Sequence, residues 1–295
     1  MRLRVLRPFD PWKSPLCTCP PKYSLQPYTG CSHGCLYCYA TSYIGRRPSK
    51  PKRDFLRNLA LDLLRANPSM HISMSNSSDP YPPEEERLLL TREALKLIAR
   101  RGFRVLIVTK GSLVARDADI LSSMRSAVTM TITTLDASLA KVLEPGAPSP
   151  RDRVSALERL SSAGVPIGLR LDPVIPYLND DERSILEVLE AAANAGARFV
   201  VTSSFKARPD SLKRMCEAYP ELCGRWIEIY RRRGTWLRGY WYAPIELRKR
   251  LLARVIAIAR KLGMEYATCR EGLRGREWFS APTCDGSHLI NCGRS

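Results

Sequence analysis

The sequence predicts an α/β chain folded as a partial (β/α)6 barrel of TIM type, flanked by an N-terminal arm and a C-terminal helical, cysteine-containing extension. Three observations carry that expectation. Short runs rich in β-branched residues alternate with longer runs of helical spacing from Leu25 to Phe205. Gly102, Gly164 and Gly196 stand just past helix ends, where the left-handed C-cap conformation favours glycine. Strand–helix units repeated at this length imply a parallel sheet with helices outside it, and six such strands fall short of a closed eightfold barrel.

The first strand lies near Tyr23 to Tyr28. Arg53 to Arg65 has helical spacing, with Asp54 near its start, and Met70 to Ser75 reads as a short strand. Glu84 to Arg101 reads as one helix, with acidic residues in its first turn where the macrodipole favours them. Arg104 to Thr109, Ala127 to Thr134, Val165 to Leu171 and Arg198 to Thr202 read as strands. Asp117 to Met124, Arg151 to Ala163 and Asp180 to Asn194 read as the helices between them. Chemistry in parallel barrels collects at the C-terminal ends of the strands, so each strand end is a candidate site.

Residues 1–24 are proline-rich, hold Cys17 and Cys19, and read as an extended arm. Residues 25–205 form the barrel, and 206–295 the extension. Residues 205–262 are expected to be mostly helical, with Ala243 to Leu262 the longest amphipathic run. The tail from Glu265 to Ser295 has irregular composition and holds Cys269, Cys284 and Cys292. Arg231, Arg232 and Arg233 precede Trp236, Arg238, Tyr240, Trp241 and Tyr242. Such a mixture suits stacking on bases with phosphate contact, or arginines snorkelling over core aromatics.

Lys and Arg number 47 against 29 Asp and Glu, a formal charge of +18 that favours polyanionic partners such as DNA or RNA. The longest helix-like apolar run, Leu251 to Ile258, contains Arg254 and is too short to span a bilayer, so no membrane partner is expected. No apolar stretch follows the basic Met1-Arg-Leu-Arg start, so a secretory signal is not expected and the cytoplasm is the expected location. Ten cysteines in a cytosolic chain are more often metal ligands or reactive groups than disulfides, thermophilic archaea excepted.

The strongest local signal is Cys31-Ser-His-Gly-Cys35-Leu-Tyr-Cys38, three thiols at C-x3-C-x2-C spacing just past the first strand. Thiolates select iron in clusters, or zinc. Three ligands to a four-iron cluster leave one iron open to chelate an amino and a carboxylate group. A structural zinc site, with His33 or a distant cysteine as fourth ligand, is the alternative, although zinc sites more often pair C-x2-C knuckles and only Cys35 and Cys38 form one.

This spacing resembles that of the radical S-adenosylmethionine (SAM) superfamily. Tyr28 before the first cysteine, Tyr37-Cys38-Tyr39-Ala40 at the third, Ser78-Asp79-Pro80-Tyr81-Pro82-Pro83-Glu84-Glu85, Leu90-Thr91-Arg92, Thr109-Lys110 and Arg170-Leu-Asp172-Pro173 resemble its spore photoproduct lyase-like branch, also labelled DNA repair photolyase. The resemblance implies a [4Fe–4S] cluster on Cys31, Cys35 and Cys38, SAM as cosubstrate, and a one-electron reductant of flavodoxin or ferredoxin type. It implies reductive cleavage of SAM to a 5′-deoxyadenosyl radical that removes hydrogen from a substrate. That branch carries a further cysteine used to return hydrogen, whereas this chain has none between Cys38 and Cys216, which disfavours photoproduct repair itself.

Charge assigns the remaining strand-end roles. Ser78 and Asp79 can accept from the cosubstrate's ammonium, or Asp79 can serve as a turn residue before Pro80. Lys110 suits a carboxylate or ribose oxygens, and Thr133 and Thr134 suit ribose hydroxyls. Arg170 can clamp a carboxylate or pair with Asp172. Tyr37 and Tyr39 can pack on the cluster or the adenine, or be core aromatics. Cys17, Cys19, Cys269, Cys284 and Cys292 form a possible second metal site, iron–sulfur or zinc, if arm and tail meet; Cys216 and Cys223 are core or a local pair. Beside a radical enzyme acting on nucleic acid stand two alternatives, a radical enzyme acting on a protein or small molecule and a non-catalytic metal protein that contacts nucleic acid.

Overall fold

The computed structural model describes residues 3–9, 14–74 and 77–291. Seven parallel strands run in chain order across one sheet: β1 (Tyr23–Leu25), β2 (Ile72–Met74), β3 (Val105–Thr109), β4 (Ser126–Thr131), β5 (Ile167–Val174), β6 (Phe199–Ser204) and β7 (Glu265–Thr268). Arg7–Pro8 adds an antiparallel edge to β1. Helices α1 (Phe55–Leu63), α2 (Leu90–Arg100), α3 (Ala118–Ser123), α4 (Pro150–Ser162), α5 (Glu182–Asn194), α6 (Pro209–Ala218) and α7 (Ile245–Lys261) include those of the outer layer. Among the described residues no helix is long and apolar enough to cross a membrane.

Strand parity divides the side chains between two environments. Ile72, Val105, Ile107, Val128, Met130, Leu169 and Leu171 face outward into one core shared with Leu95, Leu157, Leu189 and Val255 of the helices. The inward positions Leu106, Ala127, Phe199, Val201 and Ala267 form a second core, closed by Ala281, Cys284, Leu289 and Ile290 of the tail. The tail therefore occupies the interior where a closed barrel would carry its own packed side chains.

Several expectations need correction. The expected single helix from Glu84 to Arg101 is broken at Leu89, whose φ is 51°. The cause is the buried Glu85 carboxylate, which accepts the Thr91 and Arg92 N–H groups at 2.8 and 3.2 Å and so caps the second segment. The tail is not wholly irregular, since Glu265–Thr268 supplies a seventh parallel strand beside β6. The stretch expected to be mostly helical contains a β-hairpin, Thr235–Leu237 with Tyr240–Tyr242. Among the described residues of the N-terminal arm, Arg4, Val5 and Leu6 are tied down by the Asp62 carboxylate, which accepts their N–H groups. Cys216 and Cys223 form a local disulfide pair.

Candidate functional site

A cavity of about 500 Å3 touches every parallel strand or its end, through Ser24, Ser73, Val108, Thr131, Arg170, Ser203 and Cys269. Lining by all seven shows that the sheet curves around it. The volume suits a small-molecule cosubstrate.

The cysteine loop forms one wall. It leaves a short strand pairing, Tyr28–Thr29 with Lys50–Pro51, and is held by hydrogen bonds from Cys31 N–H to the Arg47 carbonyl at 3.0 Å and from Leu36 N–H to the Leu143 carbonyl at 2.8 Å. Gly30 has φ 77° and lies so close to the Pro48 carbonyl that a side chain would collide with it. The Arg214 guanidinium, from α6, donates to the carbonyls of Leu36 and Cys38, each at 3.0 Å. Cys31, Cys35 and Cys38 all face the cavity. Burial pushes the Cys31 thiol up to about 11 and the Cys35 thiol higher still, so metal insertion must displace their protons.

Asp79 and Ser78 hold the loop rather than offering free acceptors. The Ser78 hydroxyl donates to the Gly30 carbonyl at 2.5 Å. Asp79 Oδ1 accepts from Tyr81 N–H at 2.9 Å and the Thr109 hydroxyl at 2.5 Å, while Oδ2 accepts from Lys110 N–H at 2.8 Å. His33 Nδ1 lies 3.4 Å from Oδ2. Those four partners match the lone-pair sites of a carboxylate. Burial alone would raise the Asp79 pKa, but His33, Thr109 and the Lys110 N–H hold it down at about 2.

Lys110 reaches over the Tyr37 ring, with its ammonium 5.4 Å from the centroid. Burial opposes its charge, but Cys35 and the Glu144 carboxylate hold its pKa above the ordinary lysine value. Glu144 is buried beneath the loop, pairs with Arg153 at 2.5 Å, and accepts from the Tyr37 hydroxyl and from Thr133 at 3.0 Å. Thr133 is thus committed to that network, and the cavity is lined by Thr131 instead, which shares the inward parity of Arg170. Tyr39 lies at the cavity with the Arg270 guanidinium 6.0 Å from its ring centroid. Arg170 pairs with Asp172 at 2.9 Å, the structural of its two expected roles. Lys206 and Arg270, which the sequence did not single out, add two cations to the cavity lining.

Arm and tail do meet. Cys17, Cys19 and Cys269 line the same cavity. Cys19 Sγ lies 3.6 Å from Cys284 Sγ. Hydrogen bonds from Cys17 and Cys284, together with the Lys22 ammonium, hold the Cys19 thiol well below the ordinary thiol range. Lys22 pairs with Asp285 at 2.5 Å, both buried. Cys292 lies outside the described residues.

Among the described residues no three His, Cys, Asp or Glu side chains converge on one ion-sized point, so no mononuclear cage is preformed at the Cys31 loop. A cubane asks for something else, thiols spaced about separate irons. Three thiols on one tied loop facing one cavity, with the buried His33 Nε2 lacking a protein partner, fit that group.

Comparison with known proteins agrees. Residues 25–189 match the radical SAM superfamily. An uncharacterised protein of Mycobacterium tuberculosis is 28% identical over 82% of this chain and 75% of its own length. A radical SAM Nalpha-GlyT isomerase of Pseudomonas phage M6 is 24% identical over 90% of this chain and 59% of its own. A mutant spore photoproduct lyase with bound AdoMet and dinucleoside spore photoproduct superposes with a TM-score of 0.66 at 18% identity, covering 92% of this chain and 80% of that one, a likeness of fold that includes the partial barrel. With more than half its length matched to that family, and with the cysteine loop facing the mouth of a partial barrel, the chain belongs to the radical SAM superfamily and is an enzyme of that class.

Proposed function

We propose that the chain cleaves SAM reductively at a [4Fe–4S] cluster held by Cys31, Cys35 and Cys38, and that the substrate of the resulting radical is a nucleic acid. The observation that carries the reading is the single cavity joining the cysteine loop to all seven strands, with an aromatic and cationic hairpin at its edge. When bound, the cluster and SAM supply a one-electron cleavage that yields the 5′-deoxyadenosyl radical.

The chain's own residues do the rest. Arg214 and Asp79 fix the loop that presents the three thiols. Lys110, whose ammonium lies over the Tyr37 ring, offers a cation to the carboxylate or ribose of SAM. Tyr39 offers a ring face at the cavity.

Nucleic acid as substrate rests on three supports. The chain carries a formal charge of +18. Trp236 is 52% exposed and packs tilted against Trp241 with ring centroids 4.7 Å apart, and the Arg231 guanidinium is 5.6 Å from the Trp241 ring. Tyr240 of the same hairpin lines the cavity. Exposed aromatics among cations suit single-stranded bases and phosphates. The lyase neighbour was solved with a dinucleoside spore photoproduct bound. The electron donor fits a flavodoxin or ferredoxin of a cytoplasmic setting.

The test is anaerobic reconstitution followed by reduction in the presence of SAM. The expected result is 5′-deoxyadenosine, increased by DNA or RNA oligonucleotides and abolished by Cys31→Ala. No 5′-deoxyadenosine from protein that holds about four irons would overturn the cleavage, and product formation indifferent to DNA and RNA would overturn the substrate class.

A further inference from the structure

Four thiols outside the cysteine loop come from three remote segments. Cys17 and Cys19 ride the N-terminal arm, Cys269 follows β7 directly, and Cys284 lies on the tail inside the barrel. The sequence separation between Cys19 and Cys284 is 265 residues, yet their sulfurs stand 3.6 Å apart. Cys17 and Cys269 line the same cavity as Cys19. The surroundings suit a charged, thiolate-rich group: the buried Lys22 ammonium lies beside Cys19 and is balanced by Asp285.

We infer that Cys17, Cys19, Cys269 and Cys284 ligate a second, thiolate-bound metal centre, taking zinc or an iron–sulfur cluster. Four thiolates with no open position are the ligand set of a closed structural zinc site or of a closed cluster. With zinc–sulfur bonds of about 2.3 Å, two ligands of a tetrahedral site lie roughly 3.8 Å apart, close to the 3.6 Å between Cys19 and Cys284. Among the described residues no three such donors are yet converged. All four lie outside the helices and strands, on loop segments. As each metal–sulfur bond forms, a thiol gives its proton to solvent. The set is complete without Cys292. The centre would pin arm, last strand and tail to one another at the cavity wall.

The experiment uses the full chain prepared anaerobically, with zinc, iron and sulfide measured per chain. The variant Cys31→Ala/Cys35→Ala/Cys38→Ala should keep about one zinc, or iron with matching sulfide. Adding Cys17→Ser and Cys19→Ser should remove it. In case the fivefold variant fails to fold, alkylation of the wild type gives the same answer: Cys19, Cys269 and Cys284 should resist native alkylation until a chelator is added. A triple variant devoid of metal whose four thiols alkylate freely would overturn the inference. So would a Cys19–Cys284 disulfide in the anaerobic wild type. Metal retained by the triple variant while the wild type makes no 5′-deoxyadenosine would sink SAM cleavage and leave this centre standing.

Discussion

The imidazole of His33, between the first two loop cysteines, lies 3.4 Å from the carboxylate of Asp79, which also takes the Thr109 hydroxyl and the Lys110 N–H. One side chain thus ties the cysteine loop to the end of β3. Asp79→Ala strands the four partners of that carboxylate, Tyr81 N–H, Thr109 hydroxyl, Lys110 N–H and His33, and should cost about 1–3 kcal/mol for each one left unpaired. Urea unfolding of the apo-protein measures the loss, and iron content after reconstitution should fall with it.

The same contact gives stability an acid dependence. Asp79 titrates at about 2 in the folded chain against an ordinary 3.8. A carboxylate lowered on folding adds stability above its unfolded pKa and loses it as pH falls through the folded value. The contribution, on the order of 2 kcal/mol from that shift, should be intact above pH 4 and largely gone by pH 2. Asp79→Asn should flatten this part of the profile, read by urea midpoints across that range.

Glu144 and Arg153 form a buried ion pair under the loop, with side-chain exposures of 0% and 1%. Glu144→Gln leaves Arg153 uncompensated and Lys110 without its nearby carboxylate, and should destabilise by about 3–5 kcal/mol. Glu144→Gln/Arg153→Met should recover part of that loss. The double-mutant cycle in urea is the check.

Lys110→Met removes the cation that lies over the Tyr37 ring while keeping a side chain of similar length. Iron content should stay unchanged while SAM binds roughly tenfold more weakly, the equivalent of about 1.4 kcal/mol. Equilibrium binding to the reconstituted protein measures it, and unchanged affinity would remove Lys110 from the site.

Trp236 is exposed, so Trp236→Ala should leave the melting temperature alone. Loss of one stacked base costs about 1–3 kcal/mol, which weakens binding of a single-stranded oligonucleotide by roughly 5- to 150-fold. Fluorescence anisotropy at several salt concentrations checks this, and the salt slope should not change, because no phosphate contact is lost.

Features encoded locally were legible in the sequence. The C-x3-C-x2-C spacing and the strand–helix alternation are short-range signals, and both survive in the structure. Features set by tertiary contact were not. Asp79 looked like a free acceptor because its donors come from Thr109, Lys110 and His33, far apart in the chain. The strand Glu265–Thr268 has only four residues and no β-branched run, and is ordered by its pairing with β6. The hairpin turns at Arg238-Gly239, both at positive φ, a geometry usually announced by Asn-Gly, so its signal was hidden. The second thiol group was visible only as an excess of cysteines until arm and tail were seen to meet.

The tail inside the barrel has a consequence for synthesis. The ribosome makes residues 281–291 after all seven parallel strands, so Leu106, Phe199 and Val201 wait without the partners that bury them. Through that interval the nascent chain exposes an apolar trough, the kind of surface that recruits chaperones and invites aggregation. Until the tail leaves the exit tunnel, that trough has no cover from its own chain.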